Sequence, residues 1–305
     1  MSEDPGWPRA SDWLAGGGSP AGPRLLVVGV PLSRTSLSPS GASATPAAIR
    51  AALTRFSTFH AGLDVDLESL SVRDHGDLAV AELAPVAALA EIRRALAAVP
   101  AHDLCVLIGG DNALTRPAAG ALLADLSRSA LLTLDAHHDV RGFHDGPTNG
   151  TPVRGLIEDR LPGGRVVQVG IGELTNSRVY RRWCDDHGVT AISAAQARVN
   201  GVGEVVRREL DRLAADCDGI YVDLDVDVVD RVYAPGCPGA RPGGLAPYEL
   251  LAAAVEAGRH PKVRAVDIVE VDATADPTGV TVDLAAMCLL SAAAGLCARP
   301  KSPEP

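Results

Sequence analysis

Residues 131 to 139 read Leu-Leu-Thr-Leu-Asp-Ala-His-His-Asp, an apolar run that stops abruptly in side chains able to hold a metal. Extended backbone alternates its side chains between two faces, so a chain that stays extended past Leu134 points Asp135, His137 and Asp139 the same way. A second stretch, Ile220-Tyr-Val-Asp-Leu-Asp-Val-Asp227, alternates acid with aliphatic residue and runs on to Asp230 and Ala234-Pro-Gly236. Carboxylates crowded at a strand end repel one another, and burying them without a counter-cation is costly; a bound divalent cation removes that cost. Taken singly, each acid reads as well as a strand-end or turn residue. The combination, each part straight after an aliphatic strand, points to a metal site. Oxygen-rich ligands with one imidazole favour a hard or borderline ion such as Mn²⁺ over a structural zinc. Five such side chains suit two ions that share carboxylates better than one.

Working outward, strand and helix alternate along the chain. Leu25 to Val30 reads as a buried strand, and Thr45-Pro46 opens a helix with a cap and a Pro at its first position. Residues 86 to 98 form an Ala-rich amphipathic helix, and the strand Leu104 to Ile108 runs into Gly109-Gly-Asp-Asn112, where glycines permit a sharp turn beside a site. Further strands are expected at Val166 to Ile171 and from Val263 towards Glu270, with helices at Val153 to Leu161, Val202 to Ala214 and Val282 to Leu296. His60 and His75 fall in an irregular part and read as surface or turn residues. The motifs sit at the C-terminal ends of strands near 108, 134, 170, 224 and 270. The expected fold is a single three-layer α/β/α domain with a mostly parallel central sheet over residues 24–299. Residues 1–23, rich in Gly and Pro, read as a poorly ordered lead-in onto which Trp7 and Trp13 can dock.

Composition agrees. The 305 residues are 47% hydrophobic but only 3% aromatic, so the core is built from Ala, Val and Leu, as where helices pack on a parallel sheet. A net charge of −10 argues against nucleic acid as a partner. Cys105, Cys184, Cys217, Cys237, Cys288 and Cys297 show no paired spacing and read as reduced, mostly buried thiols. No basic and apolar signal region opens the chain, and no apolar run is read as membrane-spanning, so a cytoplasmic location without a membrane partner is expected.

Asp135-Ala-His-His-Asp139, Asp225-Val-Asp-Val-Val-Asp230 with Ala234-Pro-Gly236, and Gly109-Gly-Asp111 upstream together resemble the signatures of the ureohydrolases, the arginase, agmatinase and formimidoylglutamase group. Their order and spacing match from about residue 25 to residue 297. The resemblance implies an arginase-like fold and a Mn²⁺-dependent hydrolase of a C–N bond in a linear amidine or guanidine, with one or two ions per chain. One ion is implied at Asp135, His137, Asp225 and Asp227. The other, more exposed, is implied at Asn112, Asp135, Asp139 and Asp225, but the family normally has histidine where this chain has Asn112. An amide oxygen is the poorer ligand, so this ion is expected to bind weakly.

Asn149 is a second place where the family usually has histidine, and Arg231 replaces a proline that shapes the turn after Asp230. His138 and His144 are near enough in sequence to stand in for a missing acid/base. Glu270 matches the family's glutamate that pairs with the planar cationic head of the substrate, and Asp139 is the carboxylate expected to help move a proton to the departing amine. Arg141 and Arg178, with Arg154 as a further candidate, are available to hold substrate carboxylates, beside Asn149. Arg141 and the non-histidine at 149 resemble the formimidoylglutamase branch, which yields glutamate and formamide. The alternatives are a urea-releasing hydrolase of agmatine, guanidinobutyrate or arginine, and a metal-poor relative retained as a binding or assembly subunit. Relatives commonly form trimers or hexamers, so a homo-oligomer is expected.

Overall fold

The computed structural model describes residue 4 and residues 6 to 300. Its strands are β1 (Arg24–Val30), β2 (Ser71–Asp77), β3 (Leu104–Gly109), β4 (Ser129–Leu134), β5 (Val166–Ile171), β6 (Thr190–Ser193), β7 (Gly219–Asp225) and β8 (Val263–Val269). They form one eight-stranded sheet in the order β2-β1-β3-β8-β7-β4-β5-β6. Every neighbouring pair is parallel, so the sheet expected to be mostly parallel is wholly so. A small antiparallel ribbon, Phe59–His60 with Val65–Asp66, stands apart from it.

The helices are α1 (Thr45–Ala52), α2 (Pro85–Leu96), α3 (Thr115–Leu122), α4 (Pro152–Glu158), α5 (Arg178–Asp186), α6 (Ala194–Asn200), α7 (Val202–Ala214), α8 (Pro247–Arg259) and α9 (Val280–Cys297). Alternation along the strands divides the core in two. Val27, Val106, Leu132, Val222 and Ile268 face α1 and α6 to α9, whereas Leu26, Leu107, Leu131 and Tyr221 face α2 to α5. That is the three-layer arrangement expected, and it explains why central strands read as continuous apolar runs: both faces are covered.

Edges and ends differ from the sequence expectation. Strand β2 was read as irregular because Ser71-Val-Arg-Asp-His-Gly-Asp77 is polar; as an edge strand it is covered only in part, and polar side chains are tolerated there. Its His75 is exposed, as the surface reading has it, but lies in a strand and not in a turn. The lead-in is partly built: residues 10 to 17 are helical, and Trp13, 2% exposed, sits in the core as docking required, whereas Trp7 is exposed. Residues 1 to 3 and 5 lie outside the described residues. Thr45 does not cap α1; its hydroxyl donates across to the Val271 carbonyl. Helix α9, with a mean hydropathy of 1.9 over 18 residues, is long and apolar enough to cross a membrane by composition alone, contrary to expectation, yet 67% of it is buried against the protein. All six cysteines are free, and five are buried.

Candidate active site

Four central strands end in the same way, with an aspartate whose carboxylate accepts the N–H two residues further on. After β3, Asp111 accepts from Ala113 (3.1 Å); after β4, Asp135 from His137 (2.6 Å); at the end of β7, Asp225 from Asp227 (2.8 Å); after β8, Asp272 from Thr274 (2.9 Å). These are Asx turns, which cap a strand end and occupy one carboxylate oxygen while leaving the other to face elsewhere. At Gly109-Gly110 the chain passes so close to β1's continuation that a Cβ on Gly110 would lie 1.6 Å from the Leu32 carbonyl oxygen, so only glycine fits.

The chain does not stay extended past Leu134. It bends at Ala136 and His137, and Asp139 takes a left-handed φ of 52°. The trio expected from extended spacing therefore does not form: Asp139 is not in the group, and it is Asp135, His137 and Asp227 that each offer a ligand atom within 4.8 Å of the others. His137 Nδ1 lies 2.8 Å from Asp227 Oδ2 and 3.5 Å from Asp135 Oδ1. Asp135 Oδ2 is buried without a hydrogen-bond partner. Burial, then repulsion from Asp227, raises the Asp135 carboxyl to about 7, and burial and neighbouring acids hold Asp139 and Asp225 well above the usual carboxylate range. Burial opposes a charged imidazole at His137, but Asp227 and Asp135 outweigh it and raise its pKa to about 12. An unpartnered buried carboxylate oxygen and an excess of negative charge around one imidazole fit a divalent cation.

The other half is organised by Asn112. Its Nδ2 donates to Asp139 Oδ2 (2.9 Å) and lies 3.3 Å from Asp225 Oδ2, while its Oδ1 accepts from the Thr115 hydroxyl at 2.6 Å. Thr115 Oγ1 also lies 2.7 Å from Asp267 Oδ2, on which the Tyr221 hydroxyl converges at 2.8 Å. A hydroxyl has one proton, so Thr115 serves one acceptor at a time. With the Thr115 proton on Asp267, the Asn112 amide would be free to turn its NH₂ to Thr115 and its carbonyl to the site. Asp225 thus meets Asn112 instead of joining the three-residue set.

Glu270, in a left-handed turn with φ 64°, follows β8 directly. Its Oε1 accepts from the Asn112 backbone N–H (2.7 Å) and from Asn149 Nδ2 (3.1 Å), and the Asn149 side-chain oxygen accepts the Leu37 N–H at 3.0 Å. Burial and the nearby Asp111 raise the Glu270 carboxyl to about 8. Left-handed backbone at a non-glycine residue costs about 1–2 kcal/mol, and both Asp139 and Glu270 carry it at the site.

His137, Asp139, Asp225, Asp227 and Glu270 line a cavity of about 180 Å³ together with Arg141, Asn149, Gly239 and Arg241, while Asp135 and Asn112 lie buried behind its wall. Not every expected residue reaches it. Arg178 opens α5 on the exposed surface and is not in the lining, and Arg154 pairs with Glu158. His138 is buried with Nδ1 2.7 Å from Gln168 Oε1, and His144 is exposed beside Gly142, so neither replaces the missing histidines at the cavity. Sequence reading missed Thr115, Asp267 and Arg241. Asp267 had a signal: an acid inside an apolar strand, in register with Asp223 of β7. Thr115 and Arg241 had none, because only the fold brings them in.

A family model described as the arginase family matches residues 23–295. The chain belongs to the arginase family. Among its relatives, the formimidoylglutamase of Halalkalibacterium halodurans is 35% identical over 276 residues, covering 89% of this chain and 86% of that protein. That of Bacillus subtilis is 36% identical over 280 residues, covering 90% and 87%. The B. subtilis crystal structure superposes with a TM-score of 0.89 at 33% identity, covering 98% of this chain and 95% of that one. A Trypanosoma cruzi formiminoglutamase solved with Mn²⁺ has a TM-score of 0.86 at 23% identity, covering 96% and 100%, and shares the arginase-family fold.

Proposed function

We propose that this arginase-family enzyme hydrolyses N-formimidoyl-L-glutamate to L-glutamate and formamide. The observation that carries the chemistry is Glu270, a carboxylate held by two N–H donors on the wall of the cavity that also exposes His137, Asp139, Asp225 and Asp227. A planar amidinium needs a planar anion opposite it, and Glu270, whose carboxyl burial holds above the usual carboxylate range, supplies one when the cationic head faces it. The relatives named above, at 35–36% identity over most of the chain, support the choice of substrate.

Asp135, His137 and Asp227 would hold the tighter Mn²⁺, with Asp225 joining them, and Asn112, Asp139 and Asp225 the weaker. Bound there, Mn²⁺ supplies a water acidic enough to act as a nucleophile at neutral pH. Glu270 orients the amidinium head and keeps it protonated, so that its central carbon stays electrophilic. Asn149 and the Asn112 backbone hold Glu270 in place. Asp139, aimed into the cavity by its left-handed backbone, carries a proton towards the amine that departs as glutamate. Water adds across the C–N bond, leaving formamide and a free amino group, so atoms balance without a further reactant. The small cavity limits competing water.

Two further readings belong with this one. A larger groove lined by Phe59, Tyr248, Leu251 and Met287, with Tyr248 73% exposed, supports a homo-oligomer, which light scattering in solution tests. A cytoplasmic location belongs to the same reading, since the proposed substrate and products are small metabolites. The experiment for the main reading is incubation of the Mn²⁺-loaded protein with formimidoylglutamate, guanidinobutyrate, agmatine and arginine. Formamide and glutamate from the first are expected; urea from a guanidino compound, with the first untouched, would replace this reading.

A further inference from the structure

The proposed substrate raises an electrostatic problem that the metal ligands and Glu270 do not solve. Its tail carries two carboxylates, yet Asp139, Asp225, Asp227 and Glu270 all line the cavity. Mn²⁺ would offset the acids that hold it, but at the head of the substrate, so the two tail carboxylates need cations of their own. Two arginines line the cavity, Arg141 and Arg241.

Arg241 is placed there by a pinned loop. Gly239 lies so close to Asp227 that a Cβ on it would sit 2.2 Å from Asp227 Oδ2, so the loop presses directly on a candidate ligand. Two residues past Arg241, the Gly243 N–H donates to Asp230 Oδ2 at 2.7 Å, and Leu245 N–H closes the loop onto the Val228 carbonyl at 2.7 Å. The Arg241 guanidinium donates through Nη1 to the Pro238 and Ala240 carbonyls, each at 3.0 Å. Nε and Nη2 have no protein acceptor among the described residues. A guanidinium fixed by one nitrogen, with two others unengaged at an acidic cavity, is set to grip a carboxylate bidentately.

Neighbouring arginines are otherwise occupied. Arg198 bonds the Gly244 carbonyl and lies 3.5 Å from Glu249, and Arg231 turns to the Pro238 and Ala240 carbonyls. Arg141, by contrast, packs its stem over Gly150, and its guanidinium has no carboxylate partner among the described residues.

We propose that Arg241 is a specificity-determining residue: it holds one carboxylate of the substrate tail while Arg141 holds the other, so that the cavity selects dianionic amidines. The proposal rests on the formimidoylglutamate reading. The head then meets the acidic wall at Glu270 and the tail meets the two arginines.

The test compares the Mn²⁺-loaded wild type, Arg241→Gln and Arg141→Gln on three substrates. These are N-formimidoyl-glutamate, N-formimidoyl-4-aminobutyrate, which lacks the α-carboxylate, and N-formimidoyl-2-aminobutyrate, which lacks the side-chain carboxylate. The wild type is expected to prefer the dianion. Arg241→Gln should lose roughly 10- to 100-fold in kcat/KM on the dianion, mainly through KM, and should erase the preference over one monoanion. Arg141→Gln should erase the preference over the other, and Arg241→Lys should recover part of the loss. Mn²⁺ content per chain, measured on each variant, is expected to match the wild type, which separates lost recognition from a collapsed site. Equal losses on all three substrates, or none, would overturn the role of Arg241. A wild type inactive on the dianion would remove the substrate reading itself, and the proposal with it.

Discussion

The two halves of the candidate site use the same residue types and are furnished unequally. In one, Asp135, His137 and Asp227 converge within 4.8 Å, and a buried Asp135 oxygen has no partner. In the other, Asn112 stands between Asp139 and Asp225 and satisfies them with its own NH₂. The first half accumulates negative charge that a divalent ion neutralises. The second offers a neutral amide that an ion must first turn. One residue type, imidazole or carboxamide, therefore decides whether a pair of strand ends holds a cation firmly or weakly.

The largest expected effect comes from dismantling the first half. His137→Ala should abolish tight Mn²⁺ binding, read by metal analysis after dialysis, and lower kcat by at least on the order of 10³. A variant that keeps its ion would show that the halves are not unequal in the sense argued. Next, Glu270→Ala should lower kcat/KM by roughly 10²- to 10³-fold with Mn²⁺ content unchanged, since Glu270 serves the substrate and neither half's ion. Loss of metal along with activity would place Glu270 in the metal site instead.

The charge in the first half also sets a pH dependence. Asp135 is raised from 3.8 to about 7 and Glu270 from 4.5 to about 8, so the folded metal-free chain binds more protons than the unfolded chain between those values. His137, raised from 6.5 to about 12, acts in the same direction, its contribution present below 6.5 and lost as pH rises towards 12. The metal-free protein should therefore lose thermal stability as pH rises from about 4.5 to about 8, by up to about 1.4 kcal/mol per pH unit for each ionising group. Saturating Mn²⁺ should flatten that slope, and thermal melts with and without it check the sign.

Smaller changes sharpen the second half. Asn112→His should tighten the weaker ion by roughly 10- to 100-fold. Thr115→Val removes the acceptor that the Asn112 NH₂ needs when its carbonyl faces an ion, and should weaken that ion by about 3- to 10-fold, with Thr115→Ser restoring it.

Much of this comparison was readable before the structure. The parallel core strands and their acidic ends are local patterns: apolar runs followed by Asp, where a covered strand must turn. Asn112 and Asn149 stood out as amides in positions where the resemblance implies imidazoles; in the structure the Asn112 amide donates to Asp139 and the Asn149 amide to Glu270. Contacts that depend on register or loop closure were not readable. The edge strand β2 hides because half-covered positions accept polar residues. Asp139 reaches the site through a left-handed turn, which spacing alone does not encode. Arg178 and His144, adjacent to the motifs in sequence, project elsewhere because α5 and the loop after β4 turn them outward. Arg241 arrives from a loop with no motif of its own, positioned by Gly239 against Asp227.

The inequality of the two halves is tested most directly by calorimetric titration of the metal-free protein with Mn²⁺. The expected curve has two steps, one ion bound tightly and a second at least about tenfold more weakly, with Asn112→His bringing the steps together. Two ions of equal affinity in the unaltered protein, or a second step that Asn112→His leaves unmoved, would contradict it.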